Sequence, residues 1–268
     1  MASSLVCPDC GFTRSWSLRR HHRKCKHCRR EWSGHTLYPI TGFRLTEKEW
    51  LFIIETFLRD ETIRSVTEEC SLSYVTAQHC VLLLRQTMWS DTPSLFSEKN
   101  EADETYVGGA WKNKAIHIRR QGTKRGRGTQ KQAIFGVLQR SPQRVRIWLV
   151  PNAKGVTLRP LVCAQVRRGS SIYTDGHKGY RRLRRMRYRH DWVDHDAGEY
   201  VRGEVHTQTL DGYWGMLKNH LAAIGGIRKK HLHLFIGEHV WRYNHKDLVR
   251  HDQGQLLYRI LLKFGGRS

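Results

Sequence analysis

Three carboxylates and four thiols are the side chains whose spacing in this sequence can do chemistry. Asp103 lies in Glu101-Ala-Asp-Glu-Thr-Tyr-Val-Gly-Gly109, a short β-prone segment that ends in two glycines and runs into a basic loop. Asp175 follows in Ser171-Ile-Tyr-Thr-Asp-Gly-His-Lys-Gly-Tyr180, and Asp211 in Val205-His-Thr-Gln-Thr-Leu-Asp-Gly-Tyr-Trp-Gly-Met-Leu-Lys218. Separated carboxylates in a very basic chain are a donor set for a catalytic divalent metal acting on phosphodiesters. Asp211, Gly215 and Lys218 stand at i, i+4 and i+7 of a helical stretch, so they share one face. Asp211 is there to hold metal and Lys218 to meet a phosphate; the plainer reading is an acid and a base that only face water.

The thiols point to a second metal. Cys7-x2-Cys10 and Cys25-x2-Cys28 are separated by fourteen residues, a spacing at which four thiolates close a tetrahedron around structural Zn²⁺. Arg14, Arg19, Arg20, Arg23 and Lys24 between the pairs make this a basic zinc ribbon.

Composition narrows the partner. Lys and Arg number 47 against 24 Asp and Glu, a formal net charge of +23 that calls for a polyanion, and nucleic acid is the default. Nine Trp and 10% aromatic residues argue for a packed domain rather than a disordered basic tail. No apolar run approaches membrane-spanning length and the Met1 region lacks a signal-peptide core, so no membrane partner is expected. The expected compartment is the cytoplasm, on the nucleoid if the source is bacterial, or the nucleus if it is eukaryotic.

These side chains need elements to position them. Residues 1–42 hold the ribbon. From 43 to 92, Thr46-Glu-Lys-Glu49 has the form of a capping box, and three helical runs with a break at Ser71-Leu-Ser73 outline a helix-turn-helix-like DNA-binding domain. Gln78, His79 and Arg85 are its base-reading candidates, and a small bundle that only joins ribbon to core is the alternative. From 97 to 268 the order reads βββαβα: a strand with Asp103, strands at 132–138 and 144–150, a helix at 156–168, a strand at 170–174 ending on Asp175, and the Asp211 helix from about 206 to 222. Strand alternation sends Asp103 and Glu104 to opposite faces, so only one is expected in a given metal site. A short strand at 191–193 and closing helices at 232–243 and 255–263 complete the core. Acids on the first and fourth strands of a mixed sheet are the ribonuclease-H-like layout. Two basic stretches are expected to contact DNA: Lys112, Lys114, Arg119, Arg120, Lys124, Arg125, Arg127 and Lys131, then Arg181, Arg182, Arg184 and Arg185.

Five blocks in order resemble the zinc-ribbon DDE transposases of small bacterial insertion sequences, relatives of the eukaryotic Merlin transposases. They are the paired Cys motifs with Cys-Lys-His-Cys-Arg-Arg-Glu-Trp, Asp-Glu-Thr-Tyr-Val-Gly-Gly, Tyr-Thr-Asp-Gly-His-Lys-Gly-Tyr, Val-His-Thr-Gln-Thr-Leu-Asp-Gly-Tyr-Trp-x3-Lys and Trp-Arg-Tyr-Asn-His. The resemblance implies an α/β ribonuclease-H-like core in which Asp103, Asp175 and residue 211 hold two Mg²⁺. It also implies binding to double-stranded DNA at terminal inverted repeats, strand cleavage and strand transfer, and a homodimer or larger homo-oligomer, because two ends must be held. One position departs: the family's usual Glu is Asp211 here, one methylene shorter, with Glu204, His206 and Gln208 as neighbouring donors. The rival readings are a regulatory DNA-binding protein with a silent core, and a nuclease or resolvase of the same fold without strand transfer.

Overall fold

The computed structural model describes residues 7, 10, 12–18, 22–33, 40, 42–59, 62–108, 116, 120 and 131–265. It divides into two compact units, Met1–Thr87 with Val249–Ser268, and Met88–Leu248.

In the first unit, β1 (Ser15–Ser17), β2 (His22–Cys25) and β3 (Glu31–Ser33) form a small antiparallel sheet. Helix α1 (Glu47–Leu58) starts where the capping box predicts: the Thr46 hydroxyl accepts the Glu49 N–H at 3.3 Å, and the Glu49 carboxylate accepts the Thr46 N–H at 2.6 Å. Its buried stripe is Trp50, Ile53, Ile54 and Phe57, the i, i+3, i+4, i+7 pattern of one helix face. Helix α2 (Ile63–Glu69) is capped by Thr62. Ser71, at φ 51°, turns the chain into α3 (Tyr74–Ser90). Tyr74, Val75, Gln78 and His79 are exposed on the first turns of α3, while Ala77, Cys80, Val81 and Leu84 are buried. The last helix, α7 (Arg250–Gly265), packs against α1.

The second unit is built on β4 (Lys99–Val107), β5 (Gln132–Gln139), β6 (Arg144–Val150), β7 (Ser171–Asp175) and β8 (Arg189–Val193) in the order β6-β5-β4-β7-β8. The β4–β5 and β5–β6 pairs are antiparallel, whereas β7 lies parallel to β4 and β8 parallel to β7. Helices α4 (Gly155–Gln165), α5 (Gln208–Ile224) and α6 (Leu232–Asn244) complete it. Strand β5 explains the layering. Phe135 and Val137 enter one core with Leu158, Val162 and Ile172, while Ile134 and Leu138 enter another with Leu210, Trp214 and Val240. Both faces of β5 are therefore covered, and its sequence is a continuous apolar run instead of an alternating one. This mixed α/β arrangement is compatible with a ribonuclease-H-like core.

Two expectations change. The order is βββαββα, because 189–193 forms a full fifth strand, reached from β7 through short 3-10 turns at Lys178–Tyr180 and Arg184–Met186. Helix α4 stops at Gln165 because Val166 becomes extended and bridges Phe96, with the Phe96 N–H on the Gln165 carbonyl at 2.8 Å and the Arg167 N–H on the Phe96 carbonyl at 2.8 Å. Helix α7 groups with the N-terminal helices in the first unit.

Candidate functional site

Strand β4 supplies Asp103 and Glu104, and the carboxyl end of β7 supplies Asp175. The parallel ladder between these strands ends at Glu101 opposite Tyr173. Two residues further along each strand stand Asp103, midway along β4, and Asp175, the last residue of β7, at the carboxyl end where α/β sheets gather their ligands. Carboxylate oxygens of Asp103, Glu104 and Asp175 all lie within 4.8 Å of one another. The expectation that only one of Asp103 and Glu104 can join such a group is thereby corrected. Their side chains do leave by opposite faces, Asp103 toward Trp214 and Glu104 toward Tyr180. Beyond the last β4–β7 pair, however, no ladder closes the gap, and oxygens from both faces reach it.

Each acid has a defined partner. The Trp214 indole N–H donates to Asp103 Oδ2 at 2.9 Å, and the Tyr180 hydroxyl donates to Glu104 Oε2 at 2.6 Å. His177 links the other two acids, with its backbone N–H on Asp175 Oδ1 at 3.1 Å and its Nδ1 3.5 Å from Glu104 Oε1. Burial, then the charges of Glu104, Asp175 and Asp211, hold the Asp103 carboxyl well above the usual carboxylate range, and the Trp214 hydrogen bond opposes them. Crowded carboxylates repel one another unless a cation sits among them. All the donors are hard oxygens, so the set fits a divalent cation of the Mg²⁺ class.

Asp211 lies outside this group among the described residues. It sits in the first turn of α5 on the exposed face, with Gly215 and Lys218 also exposed along the helix. Although the residue is exposed, its carboxyl is partly enclosed at the helix start, and that enclosure raises it, with the Thr207 hydroxyl at 3.0 Å and the charge of His195 opposing, and Glu101 and Asp175 raising it further. Asp211 is thus within electrostatic range of the cluster. The neighbouring donors Glu204 and His206 are engaged elsewhere, with Lys99 and Arg140.

Helix α5 is fixed by a buried charge pair that sequence reasoning missed. Glu101, fully buried, accepts Arg140 Nε–H at 2.7 Å on one oxygen and the Leu210 N–H at 2.8 Å on the other. Leu210 is the third residue of α5, so the carboxylate satisfies one of the unpaired N–H groups at the positive end of the helix. Arg140 also donates to the carbonyls of Glu204 at 2.8 Å and His206 at 2.9 Å and lies over the Tyr173 ring. The one available signal was a Glu two residues before Asp103, on the same side of the strand. Nothing in sequence marks Arg140 as its partner.

In the first unit the sulfurs of Cys7, Cys10, Cys25 and Cys28 lie within 4.8 Å of one another, with Cys7–Cys28 at 3.6 Å and Cys10–Cys25 at 3.5 Å. Four thiolates at Zn–S bonds of about 2.3 Å stand about 3.8 Å apart on a tetrahedron, so the cluster fits zinc. Within this set the Cys25 thiol is lowered to about 6, because burial raises it but the backbone N–H groups of Cys28 and His27 and the thiols of Cys10 and Cys28 together outweigh that, while the Cys10 and Cys28 thiols are raised. A thiol poised as thiolate is the form that binds metal.

Of the expected DNA contacts, Arg120, Lys131, Arg181, Arg182, Arg184 and Arg185 are exposed. Arg184 is also committed to the fold, donating to the His190 carbonyl at 2.8 Å and lying over Trp192. Lys112, Lys114, Arg119, Lys124, Arg125 and Arg127 lie outside the described residues. A groove of about 720 Å³ beside β8, lined by Tyr173, Arg184, Arg189 and Glu204 among others, does not include the acids.

The sequence matches the ISXO2-like transposase domain over residues 96–244, more than half of the chain. It is similar to a protein in transposable element ISH50 of Halobacterium salinarum, with 26% identity over 242 residues, 86% of this chain and 82% of the relative. It is also similar to a transposase-like protein of Haemophilus influenzae, with 28% identity over 100 residues, 37% of this chain and 80% of that one. A chain of the simian T-cell lymphotropic virus intasome in complex with PP2A regulatory subunit B56 gamma aligns at TM-score 0.37 and 10% identity over 74% of this chain and 69% of its own, too distant to inform the fold.

Proposed function

Because the chain belongs to the ISXO2-like transposase family, we propose that it is a DNA transposase that binds the terminal inverted repeats of an insertion sequence and cuts and joins DNA strands with Mg²⁺ or Mn²⁺. The observation that carries the reading is the convergence of Asp103, Glu104 and Asp175 beside the carboxyl end of β7 in a chain with net charge +23. In this proposal Asp103 and Asp175 hold the metal, Asp211 completes the set from α5, and Lys218 meets a phosphate beside the cut. A divalent ion held by these carboxylates would supply polarisation of the phosphodiester and a lowered proton affinity of the attacking oxygen. An in-line attack by water breaks a P–O bond and leaves a free 3′-OH, and a second attack by that hydroxyl forms the new bond to target DNA while another P–O bond breaks. The protein's share is to orient the carboxylates and hold the backbone with Arg181, Arg182, Arg184, Arg185 and the basic sequence before β5.

In the same proposal residues 1–42 are a zinc ribbon and 43–92 a helix-turn-helix-like domain, with the exposed face of α3 bearing Gln78 and His79 as its base reader. Two ends must be cut in concert, so a homodimer on DNA is expected. The test is cleavage of labelled end DNA alongside binding to it. Metal-dependent nicking at the transposon end supports the enzyme. A second reading, a regulatory binder with a silent core, is favoured by the position of Asp211 outside the acid group; binding to the same DNA with no cleavage under either metal would select it.

A further inference from the structure

Asp103 pairs with Gly136 across the antiparallel β4–β5 ladder, so both positions face the same side of the sheet. A methyl group at 136 would lie 2.6 Å and 2.8 Å from Trp214 Cη2 and Cζ2 and 2.9 Å from Ile147 Cδ1. The missing side chain is therefore the space in which the indole rests. Trp214 is 3% exposed, and from this notch its N–H reaches Asp103 Oδ2 at 2.9 Å. Trp214 rides on α5, whose start is pinned to β4 by the Glu101–Leu210 bond. Asp211 lies three residues before Trp214 on that helix, so the helix that carries one acid also orients another.

We propose that Trp214 is a positioning residue for the metal site: its indole N–H holds one oxygen of Asp103, turning the other toward Asp175. The inference rests on the reading of Asp103 as a metal ligand. Its chemistry is that of an outer partner, since a ligating carboxylate whose second oxygen is hydrogen-bonded loses little freedom on binding an ion, and removing such a partner costs about 10–100-fold in metal affinity. Gly136 belongs to the same device, because only a residue without Cβ leaves the indole in place. Packing alone would also bury Trp214, but it does not require the ring nitrogen to face a carboxylate.

The test measures Mn²⁺ binding to the zinc-loaded, DNA-free protein by electron paramagnetic resonance of the free ion. Trp214→Phe keeps an aromatic ring in the notch and removes the donor, so its Mn²⁺ affinity at the acid site should fall about 10–100-fold while circular dichroism stays unchanged. Gly136→Ala should weaken binding in the same direction. Asp103→Asn calibrates the site. Lost binding in Asp103→Asn with wild-type affinity in Trp214→Phe overturns the role of Trp214 and leaves Asp103 as a ligand. Wild-type affinity in Asp103→Asn overturns the ligand reading and the inference with it. Should Trp214→Phe fail to fold, the wild-type protein decides: Mg²⁺ should shift one indole N–H resonance, Asp103→Asn should abolish that shift, and no indole resonance moving at saturating Mg²⁺ refutes the proposal.

Discussion

Separating Glu101 from Arg140 is the most informative perturbation of the frame that carries the acids. Removing one member of a buried pair typically costs about 3–5 kcal/mol, because the survivor is left charged and enclosed. The two survivors differ here. With Glu101→Gln, the orphaned Arg140 side chain is still 17% exposed and keeps the carbonyls of Glu204 and His206, and the amide oxygen of Gln can still accept the Leu210 N–H. That substitution should sit at or below the bottom of the range, about 2–3 kcal/mol. With Arg140→Met, the carboxylate left behind is 0% exposed and keeps only the Leu210 N–H and His206 Nδ1 at 3.4 Å, so the cost should approach about 4–5 kcal/mol. At about 2–4 °C per kcal/mol for a domain of this size, Tm should drop by about 4–12 °C and 8–20 °C respectively. The double variant should be more stable than Arg140→Met alone, since it leaves no buried charge without a partner. Urea denaturation of the four proteins closes the cycle. Arg140→Met no worse than Glu101→Gln, or strictly additive losses, would refute this account of the pair.

Other outcomes follow from the same geometry. His190 is buried against Thr174, and burial, with the Arg184 charge adding, holds it down to about 4 against an unfolded value near 6.5. Its folded pKa is the lower one, so nothing is lost above about pH 7; as pH falls from about 6.5 to 4 the unfolded chain takes a proton that the folded one refuses, and stability is lost. At pH 5 the loss should be about 2 kcal/mol, and His190→Gln should flatten the dependence of the urea midpoint on pH over that window. Zinc should be held at one per chain, and Cys25→Ser should release it and unfold the small sheet, checked by metal analysis and by proteolysis of the first unit. Asp211→Glu extends the carboxylate by about 1.5 Å toward the acid group and should keep or raise cleavage, whereas Asp211→Asn should nearly abolish it; equal activity of Asn and wild type would remove Asp211 from the site.

What was legible in sequence was local. The capping box at Thr46, the alternating and continuous apolar runs of β4 to β6, and the stripe of α5 each declare themselves within a dozen residues, and each appears in the structure. The meeting of Asp103 with Asp175 followed from a parallel crossover, which a helix between two strands requires. The presence of Glu104 in the group was not legible, because strand alternation says which face a side chain leaves by and nothing about where a ladder ends. Arg140 was hidden for another reason. Its bond to Glu101 spans 39 positions and two strands, and an Arg at the end of β5 reads as surface charge until its carboxylate partner is seen. Trp214 read as one apolar member of a helix stripe; the absent side chain at Gly136 is what lets it turn its nitrogen to Asp103. Helix α7 carries an apolar pattern that any core could use, and periodicity does not name the partner.

The central claim is that Asp103 and Asp175 hold a catalytic metal, and the direct measurement is cleavage of labelled end DNA by wild type, Asp103→Asn and Asp175→Asn, with binding to the same DNA measured in parallel. Each Asn keeps the shape and removes a charged oxygen ligand. Cleavage with Mg²⁺ or Mn²⁺ should fall by about 10²–10⁴-fold or more in either variant while DNA affinity stays within about threefold of wild type. Wild-type cleavage by either variant, or metal-independent cleavage by the unaltered protein, would contradict it.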